Sequence, residues 1–283
     1  MQSEALVVAL GERRFQIERP WGTHSVPGKV TDVTLTKDGD VALLLRTDPY
    51  TEAGSDPVVV LSVQGQFLRS FGASDLSDAH MIATDPSGRF WVVDRDAHCI
   101  VCFDAHGNVL NRLGTRHGPL QPFNHPSDIA FASNGSIVVA DGYANGQIHI
   151  FNADLSHIRS FGEIGHGPGQ FMTAHGVWVT LDHRIIVADR ENSRLQVFDM
   201  KGALEAIWTG FHRPSDIWGD ASGRLYVTDA VPTLTCLSPD GTRLGRCRPV
   251  LNGAHGLWGD SSDGTLYLAE GTPSRLTRMA LIA

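Results

Sequence analysis

Three histidines, His80, His175 and His255, each follow a short lead-in and open a strand-like run: Asp78-Ala-His-Met-Ile, Thr173-Ala-His-Gly-Val and Gly253-Ala-His-Gly-Leu. Three neutral imidazoles with an open position make a catalytic zinc shell, because zinc takes nitrogen or sulfur donors in tetrahedral geometry. The open position takes water or a substrate oxygen, and the ion's charge lowers that oxygen's pKa. Zinc is the expected cofactor, although iron, cobalt and manganese meet the same donors. The plain alternative is polar side chains lining a wet channel. It explains one such histidine well, and three at one register position, among 13 in the chain, less well. The other ten, including His98, His106 and His183, fall in turns or loops and read as surface.

A second register position adds polar groups. It holds Arg46, Arg95, Gly142-Tyr143, Arg190, Ala230 and Gly271. A tyrosine beside a metal and arginines is a candidate base, since positive neighbours favour the phenolate. Arg46 and Arg190 can each fork onto a carboxylate, and the competing role is a salt bridge to a neighbouring repeat. Asp141 and Asp189 read as structural, accepting backbone N–H bonds in their turns.

These residues need elements that hold them in register, and an internal repeat supplies those elements. His125-Pro-Ser-Asp-Ile through Val-Ala-Asp141 matches Arg213-Pro-Ser-Asp-Ile through Val-Thr-Asp229 residue for residue in type. Further copies run Asp78–Asp94, Thr173–Asp189, Gly253–Glu270 and from Val30 onward, making six. Each reads as a strand, a turn such as Ser133-Asn134-Gly135, and an apolar strand ending on an acid or its equivalent. Third and fourth strands follow, as in Arg194–Phe198 and the Phe-Gly ends at Phe71 and Phe161. Four antiparallel strands, six times over, specify an all-β fold, a six-bladed β-propeller in one domain spanning residues 1–283. The last repeat runs out of chain, so its outer strand is expected from the N-terminal segment near Phe15–Glu18. The position before the first strand then reads Thr31, His80, Ser127, His175, Ser215 and His255, with histidine in every second blade. Alternate blades are about a third of a turn apart, so the imidazoles should face inward as a trigonal set. Antiparallel pairing puts the second register position at the same mouth of the channel. The longer loop Thr47–Pro57 is a candidate lid over that mouth.

Composition narrows the partners. The formal net charge is −8, and arginines are scattered singly, so no nucleic-acid patch is expected. No run approaches the roughly 20 apolar residues of a membrane span. The N-terminal apolar run is short and lies behind an acid, which makes a poor signal peptide. Cys99 and Cys102 have C-x-x-C spacing inside a strand-like run and read as reduced thiols. Cys236 and Cys247 can face each other across a hairpin, yet nothing demands a bond. A cytoplasmic monomer acting on a small-molecule or peptide-like substrate is expected.

With these motifs in view, the chain resembles a known family. Asn124-His-Pro-Ser-Asp-Ile-Ala, Ala140-Asp-Gly-Tyr143-Ala-Asn, Gly165-His-Gly-Pro-Gly-Gln-Phe171 and Ala188-Asp-Arg-Glu-Asn192 resemble the lyase domain of peptidylglycine α-amidating enzymes, built on NHL-type repeats. The similarity covers blades one to four well and blade six moderately, whereas blade five matches only as a generic repeat. It implies cleavage of an α-hydroxyglycine carbinolamide to an amide and glyoxylate, with zinc on His80, His175 and His255. It further implies Tyr143 as base, with Arg46 and Arg190 orienting the glyoxylate carboxylate. The departures are informative. Four cysteines that form two disulfides in eukaryotic relatives are Asn124, Ala144, Ile186 and Val197 here, which fits a reducing compartment. The family's calcium-binding aspartate after the third histidine is Gly256, so a structural calcium is not expected. A family methionine is Gly253, which should open the substrate side and admit a smaller carbinolamide or ureido compound.

Two other functions use such a fold. A lactonase-like propeller hydrolase resembles a calcium site of Glu, Asn and Asp, and the histidine column argues against that oxygen-rich set. A non-catalytic NHL binding module would have a bland axis and a patterned face. Here the informative residues sit at the axis.

Overall fold

Runs such as Ile137–Asp141 and Ile185–Asp189 carry apolar residues at successive positions, so both faces of the strand need cover. In the computed structural model, which describes residues 6–47, 51 and 54–282, both strands are buried along their whole length. The fourth strands, such as His157–Phe161, are mostly exposed. Burial thus falls from the axis outward within each blade.

Six antiparallel sheets follow one another, as the repeat predicts. Their innermost strands are Lys29–Leu35, Ala79–Thr84, Asp128–Phe131, Ala174–Val179, Pro214–Gly219 and Gly256–Gly259. The core is not one central mass but a set of slabs between neighbouring blades. Met81, Val93 and Cys102 of blade two pack with Ile129, Val139 and Phe151 of blade three. Val33 and Leu43 of blade one pack with Tyr267 and Leu276 of blade six.

The inner hairpin turn needs a left-handed residue, and glycine supplies it at little steric cost. Gly88 and Gly135 hold φ of 84° and 88°, while His183 holds 61° at the matching position of blade four.

Blade six closes the ring as expected. Arg13–Glu18 pairs with Ser274–Leu281, with Phe15 opposite Leu281 and Glu18 opposite Arg278. The structure adds an outer strand that the repeat does not announce, Val7–Leu10, paired to Arg13–Gln16. A short parallel pair, Glu163–Ile164 with Gln170–Phe171, also lies outside the repeat. The candidate lid Thr47–Pro57 falls partly outside the described residues.

Closure depends on apolar burial of the N-terminal strand. Phe15 is fully buried beside Leu257 and Met279, so Phe15→Ala should cost about 3–5 kcal/mol in chemical denaturation. Val7 is 45% exposed, and Val7→Ala should stay within about 0.5 kcal/mol. Equal small effects would contradict closure by this strand.

Candidate metal centre

The histidine column sits where the innermost strand departs from regular pairing. The ladder to the second strand shifts register at Val30/Asp32, Ala79/Ile82, Ala174/Gly176 and Pro214/Asp216. A bulge re-aims one side chain without ending the strand, and Thr31, His80, His175 and Ser215 occupy these irregular positions. His80 and His175 thus lie within their strands rather than before them.

The three imidazoles meet on the axis. Ring centroids are 4.9 Å, 4.9 Å and 5.1 Å apart, a nearly equilateral triangle. Their ligating nitrogens all lie within 4.8 Å of one another, the one such group of three among the described residues.

Each ring is held by the blade that follows it. Nδ1 of His80 bonds the carbonyl of Ser127 at 2.8 Å. Nδ1 of His175 bonds the carbonyl of Ser215 at 2.7 Å, and Nδ1 of His255 bonds that of Thr31 at 3.0 Å. A carbonyl only accepts, so every Nδ1 carries the proton and every Nε2 keeps its lone pair. The accepting residues are anchored in turn: the Ser127 hydroxyl lies between the Ala140 and Ala174 carbonyls and donates its one proton there, and the Thr31 hydroxyl donates to Leu44. Such an outer shell fixes both tautomer and ring plane.

Burial holds all three rings neutral. It lowers the pKa of His80 and of His175 well below the usual value, reinforced by the neighbouring imidazoles. His255 is lowered to about 4, by burial first and also by Arg190, Arg46 and Arg95, against the opposing bond to Thr31.

Tyr143 stands between two of the rings. Its Oη lies 2.9 Å from His80 Nε2 and 3.0 Å from His175 Nε2. One hydroxyl proton cannot satisfy two acceptor nitrogens at once, so the site is rich in lone pairs and short of donors. That donor set suits a divalent ion of the zinc class. Gly142 makes the approach possible: a Cβ there would stand 1.9 Å from the Ala174 carbonyl oxygen, beside His175.

The arginines divide. Arg190 Nη1 reaches Tyr143 Oη at 3.3 Å, while its Nε bonds Glu191. Arg46 forks onto Asp78 of the next blade at 2.8 Å and 3.3 Å, which is the competing salt-bridge role. Its side chain remains 41% exposed. Arg95 belongs with them: it bonds Asp78 and Asp96, and its guanidinium lies 5.1 Å from the Tyr143 ring centre. Arg190 lies 5.4 Å from the same ring. Arg95 stood in the second register position with Arg46 and Arg190, and that position was the available signal.

Asp141 and Asp189 are structural as expected. Asp141 accepts from the Asn124 amide, and Asp189 accepts from the Met172 amide. Four expectations need correction or completion. His149 is buried in a strand, bonded to Ser160 and Asp141, and His98 is buried against His125, so neither is a surface histidine. Gly253 opens no space, because a Cβ there would meet the Ala230 carbonyl oxygen at 2.3 Å. Cys236 and Cys247 are not directly opposed, and all four cysteines are free. At Gly256 the missing carboxylate's place is filled, since Asp32 Oδ1 would lie 2.0 Å from a Cβ there.

Comparison with known proteins agrees with this architecture. The NHL repeat family matches residues 76–103, 123–151 and 171–198. Peptidylglycine alpha-amidating monooxygenase of Rattus norvegicus is 29% identical over 66% of this chain and 22% of its own. A probable peptidyl-alpha-hydroxyglycine alpha-amidating lyase of Caenorhabditis elegans is 33% identical over 50% of this chain and 42% of its own. The chain is an NHL-repeat propeller related in sequence to the amidating lyases. It spans less than half the length of these two curated relatives. Solved propellers share the fold alone. Virginiamycin B lyase from Staphylococcus aureus superposes with a TM-score of 0.69 at 14% identity, covering 95% of this chain and 100% of that one. A gluconolactonase from Xanthomonas campestris gives 0.71 at 17%, covering 96% and 91%. Lyases and a lactonase thus share this scaffold, and the lyase-related propeller must be read from its site.

A metal bound here displaces few protons at neutral pH, since the imidazoles are already neutral. Metal affinity in chelator competition should stay level from about pH 8 to about pH 5 and fall only toward the His255 value near 4. Affinity that declines from about pH 6.5 would indicate ordinary exposed histidines instead.

Proposed function

We propose that this propeller is a zinc-dependent carbon–nitrogen lyase. It converts an α-hydroxyglycine-type carbinolamide into an amide and glyoxylate. The observation that carries this reading is the Tyr143 hydroxyl lodged between His80 Nε2 and His175 Nε2, at one end of a channel ringed by arginines. Kinship with proteins named as amidating lyases supports it.

His80, His175 and His255 would hold the ion, whose bound form supplies Lewis acidity to a substrate oxygen. Tyr143 is the residue placed to take the proton of the carbinol hydroxyl. As the C–N bond breaks, the carbinol carbon and oxygen become the aldehyde of glyoxylate. The bonding electron pair passes to the amide nitrogen, which receives the proton that Tyr143 took. No other reactant is consumed. Arg190, in contact with Tyr143 Oη, stabilises negative charge on that oxygen and with Arg46 orients the substrate carboxylate. Arg46 is the exposed partner of its pair with Asp78, and Asp78 keeps Arg95 as a second partner, so the Arg46 guanidinium can turn to a substrate carboxylate without leaving Asp78 unpaired. A small acyl or ureido group, or a peptide, completes the substrate.

A lactonase reading has less support, because calcium takes oxygen donors and this trio offers only nitrogen.

Metal content and glyoxylate release test the proposal together. Wild type purified without added metal should carry near-stoichiometric zinc, and His175→Ala should lose it. Tyr143→Phe should keep the metal and lose about 10²–10⁴-fold in kcat with a small α-hydroxyglycine amide. Calcium as the only metal would favour the lactonase reading, and no metal would favour a binding module. Full activity in Tyr143→Phe would remove that residue as the base.

A further inference from the structure

The other end of the channel carries a second cavity, about 610 Å³ in volume, that the proposed reaction does not use. The position after the histidine column reads Asp32, Met81, Asp128, Gly176, Asp216 and Gly256, so aspartates occupy the blades that lack histidines. All three line this cavity and are buried. Each accepts from a backbone amide of the next blade: Asp32 from Ile82, Asp128 from Val177 and Asp216 from Leu257, at 2.6–2.7 Å. None has a cationic partner within salt-bridge distance among the described residues. Asp32 Oδ1 is buried without any hydrogen bond.

The walls are of a different kind. Blades four, five and six carry Trp178, Trp218 and Trp258 at one register position; Trp218 is buried in the core, and Trp178 and Trp258 line the cavity with their rings 5.9 Å apart at 75°. The same position is Ala83 in blade two and Ala130 in blade three, so indoles bound one side and small residues leave the other open. Phe131 adds a third aromatic ring. At the entrance Asp38 and Asp260 outnumber Lys37, and Asp85 is occupied by Arg89 and the Trp91 indole.

We propose that this cavity is a second ligand site, for an organic cation with an ammonium group on an apolar body. Volume and lining match a small-molecule site, mostly apolar with a few convergent polar groups. Indole faces attract ammonium through the ring quadrupole, and more strongly once water is excluded. The carboxyls of Asp32, Asp128 and Asp216, gathered on the cavity wall without a cationic partner among the described residues, give the charge its destination. A bare divalent ion suits the site poorly, because among the described residues only the histidines gather three ligand atoms within 4.8 Å. Burial raises all three carboxyls, Asp128 to about 7, and repulsion within the group adds to it at Asp32 and Asp216, so an arriving cation also relieves crowded acids.

Calorimetric titration with benzyltrimethylammonium tests this, beside its neutral carbon isostere neopentylbenzene. The cation should bind one to one and about tenfold or more tightly than the isostere, a comparison that needs no variant. Asp128→Asn and Trp258→Leu should each weaken the cation several-fold while zinc content at the opposite mouth stays unchanged. Equal binding of both probes, displacement of the cation by stoichiometric calcium, or no binding by folded wild type would overturn the proposal.

Discussion

The bond from each histidine Nδ1 to a carbonyl of the following blade is the interaction on which the centre depends. It fixes the proton on Nδ1, turns Nε2 to the axis and ties blade two to three, four to five and six to one. The alternation of histidine with a hydroxyl residue requires an even number of blades, and six make the set trigonal. Because the last bond joins His255 to Thr31, the centre is complete only in a closed ring. Closure rests in turn on Phe15 and its strand at the outer edge of blade six. A contact at the rim and the geometry at the axis are therefore one problem.

The same alternation separates two chemistries along one channel. Even-numbered blades turn imidazoles toward one mouth, and odd-numbered blades turn carboxyls toward the other. Burial acts on the two sets in opposite senses, lowering the pKa values of the histidines and raising those of the aspartates. Glycines at 176 and 256 leave room for this, since a Cβ at either would strike the neighbouring blade. Arg46, Arg95 and Arg190 ring the histidine mouth, and Trp178 and Trp258 wall the aspartate end.

The fold was legible because each repeat carries a turn residue and a buried run, and all but the first an acid that captures an incoming amide, as Asp141 captures Asn124. Histidine in every second copy was legible by the same counting. The Nδ1–carbonyl locks were not, since backbone carbonyls have no letter of their own. The strand Val7–Leu10 falls outside the period, so pattern matching passed over it. Arg46 illustrates a different limit: its type and position admitted two roles, and only Asp78 of the next blade places the guanidinium. Gly253 looked like added space, yet the Asp229–Ala230 backbone lies against it. His149 looked like surface because a polar type in an apolar strand gives no hint of its buried partners.

X-ray absorption at the zinc edge of the purified protein tests the central claim most directly. The account predicts three imidazole nitrogens at about 2.0–2.1 Å and a remaining light-atom donor. A shell of sulfur at about 2.3 Å, or of oxygen donors without imidazole, would contradict it.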